Sequence, residues 1–230
     1  MNYPGIGANE IVYAVGDVHG CADLLDALLE RIETDRARRP DAEILEIYLG
    51  DYIDRGADSA GVIRRLRARG AERSIVCLLG NHEAMLLDVL TGNLDASHWL
   101  DNGGDATLAS YGIPPPLFGS SDPSPFGRFP AADLGFLQSL RLTHRHGPYF
   151  FVHAGVRPGV PLDRQDPQDL VWIRDDFLDY DDPLGAVVVH GHTPIEEPEF
   201  RPSRINIDTG AVFTGRLTCL RIDRDGAEIL

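Results

Sequence analysis

Five short strings along this chain each hold a side chain able to bind a divalent ion: GDVHG (16–20), GDYIDRG (50–56), GNHE (80–83), HAG (153–155) and HGHTP (190–194). Asp17, His19, Asp51, Asn81, His153 and His192 together offer carboxylates, an amide oxygen and imidazoles. Calcium and magnesium favour all-oxygen shells, so this mixture points first to manganese, with iron or zinc as alternatives. A carboxylate has two oxygens and can bridge two ions about 3.5–4 Å apart. Asp51 lies between the other ligand groups in chain order and suits that place. His82 directly follows Asn81 and is a candidate general acid.

The elements that must position these residues are visible as apolar runs. IVYAV (11–15), EILEIYL (43–49), SIVCLL (74–79), YFFV (149–152) and AVVV (186–189) read as short buried strands. Each runs straight into one of the strings. Any one string alone is an ordinary strand-to-helix turn or helix start. All of them together put ligands at the carboxyl ends of successive strands, where α/β sheets place their sites.

Residues 10–80 read as β-α-β-α-β, with helices over about 21–35 and 58–69. Arg64, Arg65, Arg67 and Arg69 in the second helix read as a solvated face. From Glu83 to about Leu140 the pattern is helical, interrupted by a Pro-, Ser- and Gly-rich stretch at 114–130 that reads as a flexible loop. Strands dominate from about Leu142 onward. His190 reads as a packing residue.

On these strings, together with LVWIRDDF (170–177) and NIDTGAVFTGRLT (206–218), the chain resembles the calcineurin-like metallophosphoesterases. Within them it is similar to the phosphoprotein phosphatase family, most of all to the phage lambda-type and bacterial serine/threonine phosphatases. The resemblance runs from about Val12 to Arg221 and implies an α/β/β/α sandwich of two mixed β-sheets flanked by helices, forming one domain over 1–230. It implies that Asp51 bridges two divalent ions, with Asp17 and His19 on the first and Asn81, His153 and His192 on the second. It implies attack by a metal-bridging hydroxide, with Asp54 orienting the general acid His82, and with Arg55, Arg174 and Asn81 binding the substrate phosphate. Many relatives carry a further histidine where this chain has Pro194. Eukaryotic relatives carry a Tyr-containing loop where this chain places Phe213, whose ring has no hydroxyl.

Composition narrows the partners. The formal charge is 21 − 36 = −15, which repels polyanions and argues against general nucleic-acid binding. Every basic residue is Arg, so phosphate recognition must use guanidinium, metal or backbone donors. No apolar run is long enough to span a membrane, and the first ten residues show no secretory signal. Cys21, Cys77 and Cys219 do not form a disulfide framework, which suits a cytoplasmic protein. The expected function is a metal-dependent phosphomonoesterase acting on phosphoserine or phosphothreonine proteins or small phosphate esters. A hydrolase similar to the symmetrical diadenosine tetraphosphatases is the alternative. A catalytically silent phosphoprotein-binding module is a third reading, against which the intact ligand set argues. Oligomeric state is not legible in the sequence.

Overall fold

Alternation of apolar side chains along the first strand shows how the layers form. Ile11, Tyr13 and Val15 turn to one face, Val12 and Ala14 to the other, and all are buried. A strand buried on both faces needs cover on both. The computed structural model describes residues 3–114 and 126–230. Most of the loop expected at 114–130 falls outside the described residues. In chain order the elements are β1 (Glu10–Val15), α1 (Ala22–Arg36), β2 (Glu43–Tyr48), α2 (Ser59–Glu72), β3 (Ile75–Cys77) and α3 (Asn81–Thr91). Then follow α4 (Ala96–Trp99), α5 (Asp105–Ser110), α6 (Ala131–Gln138), β4 (Thr143–His146), β5 (Tyr149–Val152), α7 (Pro167–Trp172) and α8 (Asp175–Leu178). The chain closes with β6 (Val187–His190), β7 (Glu199–Arg201), β8 (Arg204–Asn206), α9 (Ala211–Thr214), β9 (Cys219–Asp223) and β10 (Gly226–Ile229).

Two five-stranded sheets result, ordered β10-β9-β1-β2-β3 and β4-β5-β6-β8-β7. β1, β2 and β3 are parallel neighbours, as are β5, β6 and β8, while the remaining pairs are antiparallel. Val12, Ala14, Ile47 and Leu49 of the first sheet meet Tyr149, Phe151, Val189 and Ile205 of the second. The outer face of the first sheet, with Tyr13, Val15 and Tyr48, packs on Leu25, Leu28, Ile63 and Leu86 of α1, α2 and α3. The outer face of the second, with Phe150, Val152 and Val188, packs on Leu170, Ile173 and Phe177 around α7 and α8. The fold is therefore the expected α/β/β/α sandwich. Its parallel neighbours deliver the ligand-bearing turns to one edge of each sheet. Among the described residues no helix is long and apolar enough to cross a membrane.

The arginines of α2 do not form the uniformly solvated face expected. Arg69 donates from Nε and Nη2 to the two oxygens of Glu46 at 2.9 and 2.6 Å. Glu46 is fully buried, and Tyr48 also donates to it at 2.8 Å. Arg67 reaches Asp133 and Arg65 forks onto Asp26, while Arg64 stays mostly in water. The helical period puts Arg69 on the edge of α2 facing β2, where Glu46 needs a counter-charge. Removing one partner of a buried pair strands the other charge. Because Arg36 stays 3.7 Å from Glu46 and Tyr48 still donates to it, Arg69→Ala should lower unfolding stability by about 1–3 kcal/mol, whereas Arg64→Ala should change it by less than about 0.5 kcal/mol. Urea melts giving equal losses for the two variants would contradict the burial of the Glu46–Arg69 pair.

Candidate metal centre

Backbone strain marks the site before any side chain is considered. Among the described residues, non-glycine positions with positive φ are His19 (44°), Asp51 (49°), Asp54 (72°), Arg55 (67°) and His192 (65°). Left-handed geometry is unfavourable for such side chains and persists where surrounding contacts over-determine it. Every one of these residues is a site residue expected from sequence. Two glycines explain themselves in the same way. A Cβ on Gly80 would lie 2.2 Å from Asp51 Oδ1, and one on Gly191 would lie 2.2 Å from Asp17 Oδ1. The backbone closes onto both carboxylates.

The structure brings the ligand candidates together around Asp51, which is 2% exposed. Asp51 Oδ2 lies 3.4 Å from His19 Nε2, and Asp51 Oδ1 lies 3.4 Å from His153 Nε2. His153 gives its Nδ1 proton to the Leu49 carbonyl at 3.0 Å, leaving a lone pair on Nε2. That lone pair faces Asn81 Oδ1 at 3.0 Å as well as Asp51. Asn81 Oδ1 is also 2.8 Å from His192 Nδ1. Oxygens and ring nitrogens able to offer lone pairs converge here, an arrangement that suits a cation. His19 likewise spends Nδ1 on the Ile53 carbonyl at 2.9 Å and turns Nε2 inward. Two groups able to hold an ion, His19–Asp51–His82 and Asp51–His153–His192, thus share Asp51. Asp17 lies outside both groups but is joined to them, because its Oδ2 accepts the His192 backbone N–H at 3.0 Å.

The charges fit divalent ions. Burial pushes the imidazoles down, His19 to about 3 and His192 to about 2, so they are neutral ligands near neutral pH. Burial acts in the opposite sense on Asp51 and raises it, but its histidine neighbours, His153 first, oppose this and hold the group below the usual carboxylate range. Asp17 is pushed up by burial, then by Asp208 and Asp51. Burial raises Asp208 to about 6, opposed by the Gly210 N–H, and burial with the Asp51 charge raises Glu83 to about 8. So many buried acids cannot all ionise without added positive charge. Asp17 Oδ1 is buried and has no hydrogen-bond partner. The residues present therefore fit two divalent ions.

His82 is distinguished from the other histidines by its partner. Its Nδ1 lies 2.7 Å from Asp54 Oδ2, and its Nε2 faces Asp51 Oδ2 at 3.9 Å. Burial opposes protonation, yet the charges of Asp51 and Asp54 outweigh it and raise the imidazole above its ordinary range. Although His82 belongs to one of the two ion-holding groups, an imidazolium has no lone pair for a metal. Asp54 is itself held by Trp99 Nε1 at 2.8 Å and by the Thr107 hydroxyl at 2.6 Å. Sequence reasoning missed Trp99, Thr107 and Asp208. No local motif marks the first two, which arrive through α4, a π-helical segment at Leu100–Gly104, and α5.

Both expected phosphate-binding arginines are exposed beside the centre. Arg55 Nη1 donates to His19 Nε2 at 2.9 Å, and Arg174 Nη1 donates to the Thr193 hydroxyl at 3.1 Å, next to His192. One guanidinium thus stands by each ion-holding group. Arg55 supplies positive charge where an ion on His19 would sit, and must leave Nε2 when that ion binds. His190 is buried and lies edge-on to Phe177 at 4.9 Å, as a packing residue.

Two mixed sheets carrying convergent carboxylates and imidazoles at their strand ends define a metallohydrolase. The chain belongs to the calcineurin-like phosphoesterase family, whose model matches residues 11–219. Serine/threonine-protein phosphatase 1 of Salmonella typhimurium is 31% identical over 220 residues, covering 92% of this chain and 91% of that protein. The asymmetrical bis(5'-nucleosyl)-tetraphosphatase PrpE of Geobacillus thermodenitrificans is 29% identical over 227 residues, covering 90% and 88%. A solved structure described as a candidate diadenosine tetraphosphatase superposes with a TM-score of 0.68 at 21% identity, covering 100% of this chain and 98% of that one. The family is settled, while the narrower phosphoprotein phosphatase membership does not follow, because full-length relatives include nucleotide hydrolases.

The shared position of Asp51 generates a binding prediction. Calorimetric titration of chelator-treated protein with manganese should show two ions bound. Asp51→Asn should weaken both by at least about tenfold, because it reduces charge on the ligand common to both groups. Asn81→Ala should weaken chiefly one. A single ion, or two unaffected by Asp51→Asn, would refute the arrangement.

Proposed function

We propose that this chain is a dinuclear-metal phosphohydrolase whose substrate is a dinucleoside tetraphosphate, with manganese as the first choice of ion. The observation that carries this reading is an exposed guanidinium beside each of two ion-holding groups that share Asp51. A polyphosphate chain bears several charges in a row and can engage both ends of such a row. Full-length likeness to bis(5'-nucleosyl)-tetraphosphatases supports it. The expected protein phosphatase activity becomes the second reading, favoured by the identity to the Salmonella enzyme.

Asp17, His19 and Asp51 would hold one ion, and Asp51, Asn81, His153 and His192 the other. When bound, the ions supply Lewis acidity toward phosphoryl oxygens and activate a water nucleophile. The protein does the rest. Arg55 and Arg174 fork onto non-bridging oxygens and, with Asn81 at the centre, orient the phosphoryl group. Asp54 fixes the His82 ring, and His82 gives its Nε2 proton to the departing oxygen. The three unpaired cysteines suit the reducing cytoplasm in which we place the reaction.

The substrate reading is tested by comparing diadenosine tetraphosphate, a phosphoseryl peptide and an alkyl phosphate with the manganese-loaded protein. The dinucleotide should lead in kcat/KM by at least about tenfold, a difference of about 1.4 kcal/mol in barrier. Its products, two ADP or AMP plus ATP, tell symmetrical from asymmetrical cleavage. A phosphopeptide that outranks the dinucleotide would shift the assignment to the second reading.

The role of His82 has its own signature. A phosphate leaving group departs with little protonation, whereas an alkoxide needs it. His82→Asn should lower kcat by ~10²–10⁴-fold on an alkyl phosphate and far less on the dinucleotide. Equal losses on both would assign His82 a structural role.

A further inference from the structure

Phe213 is the most exposed large apolar side chain among the described residues, at 71%, and it stands beside the metal centre. The other, Ile229 at 41%, belongs to the edge strand β10. An aromatic ring at the mouth of a site offers a face on which a flat ligand group can stack. Its backbone is firmly built. α9 is flanked by Gly210 and Gly215, both left-handed, and the Phe213 N–H donates to the Gly210 carbonyl at 2.8 Å. Thr214 donates its hydroxyl to the Thr209 carbonyl at 2.8 Å, and Thr209 in turn donates to the Arg216 carbonyl at 2.8 Å. The ring is therefore presented by a braced loop.

Its neighbour gives it direction. The Arg55 guanidinium carbon lies 6.0 Å from the centre of the Phe213 ring, while Arg55 Nη1 lies 2.9 Å from His19 Nε2. The order from the site outward is ligand group, guanidinium, aromatic face. A nucleotide phosphate gripped by Arg55 would extend outward through its ribose and bring its base toward the ring. We infer that Phe213 is the stacking platform for a purine base of the substrate, with Arg55 joining the base subsite to the phosphate subsite. The inference deepens the nucleotide reading above and rests on it for the identity of the substituent. Every base offers a π-face, and stacking on a protein aromatic is a common way to hold one.

Equilibrium binding to the manganese-loaded protein tests this without turnover. AMP and ribose 5-phosphate share a phosphate and a sugar and differ in the base. Titration calorimetry at low temperature should show AMP binding on the order of tenfold more tightly than ribose 5-phosphate, from one base–aromatic stack. The preference should vanish in Phe213→Ala, shrink in Phe213→Leu and survive in Phe213→Trp, with ribose 5-phosphate affinity unchanged throughout. Because the ring is exposed, the variants should keep the wild-type melting temperature, which thermal melts check. Equal affinity of wild type for the two ligands overturns the subsite, and so does a preference that survives Phe213→Ala. A ring that instead favours a phosphoseryl peptide over phosphoserine, with no preference for AMP, belongs to peptide recognition and also overturns it. If the AMP preference holds and depends on Phe213 while diadenosine tetraphosphate is not hydrolysed, the subsite stands and the dinucleotide reading falls.

Discussion

The carboxylate of Glu83 holds the metal centre in shape. It accepts the backbone N–H groups of Asp51 and Gly80 on Oε2 at 2.9 and 3.1 Å. On Oε1 it accepts those of Tyr52 and Ile53 at 2.7 and 3.2 Å. The turn after β2 and the start of α3 are thus tied to one buried side chain. Without it, several backbone donors would be stranded away from water, each costing about 1–3 kcal/mol. The same tie forces Asp51 into left-handed geometry and places its carboxylate over the N-terminus of α3, where the His82 N–H donates to Oδ1 at 3.1 Å. A position shared by two ions must be held tightly, since any drift of Asp51 moves both sites at once.

A second buried network does for His82 what Glu83 does for Asp51. Asp54 is fully buried and accepts from His82, Trp99 and Thr107, while its own N–H is shared by the hydroxyls of Ser59 and Thr107. Burial raises this carboxyl, yet its donors counter that trend. Trp99 fits because Gly104 lacks a Cβ, which would lie 2.4 Å from the indole. The Gly103 carbonyl accepts the Arg55 backbone N–H at 3.1 Å, so the irregular segment before α5 also braces the Arg55 backbone.

The strands and the residues that gather around Asp51 were legible in the sequence for a physical reason. Strands buried on both faces read as apolar runs, and after β3 and β6 come Gly80 and Gly191, where the backbone closes onto the carboxylates of Asp51 and Asp17. Asp17, His19, Asp51, Asn81, His153 and His192 could be found because they sit within a few residues of those signals. Trp99 and Thr107 could not, because they lie 45 and 53 residues from Asp54 and carry no local pattern. Arg69 misled because a helix face rich in arginine reads as solvated until a buried acid, Glu46 on a neighbouring strand, is known to face it. The protein phosphatase expectation rested on short segments near the carboxyl end, and substrate choice depends on surfaces around the site more than on its ligands.

The charge distribution carries the argument from architecture to substrate. At −15 overall, the surface repels phosphate compounds at long range. Within the centre, burial and mutual repulsion raise Asp17, Asp208 and Glu83 together, so the fold concentrates negative charge that divalent ions reverse. With no lysine, the outer positive charge comes from guanidinium forks at fixed angles rather than mobile point charges. Arg55 is the hinge of this design: it touches a ligand imidazole on one side and the Phe213 ring on the other. On the proposed reading, an ion held by His19 would compete for the Nε2 lone pair that Arg55 now contacts. In the proposed nucleotide reading, metal binding and substrate binding at this end of the site would be physically linked through Arg55, and the ring beyond it would extend recognition past the phosphate.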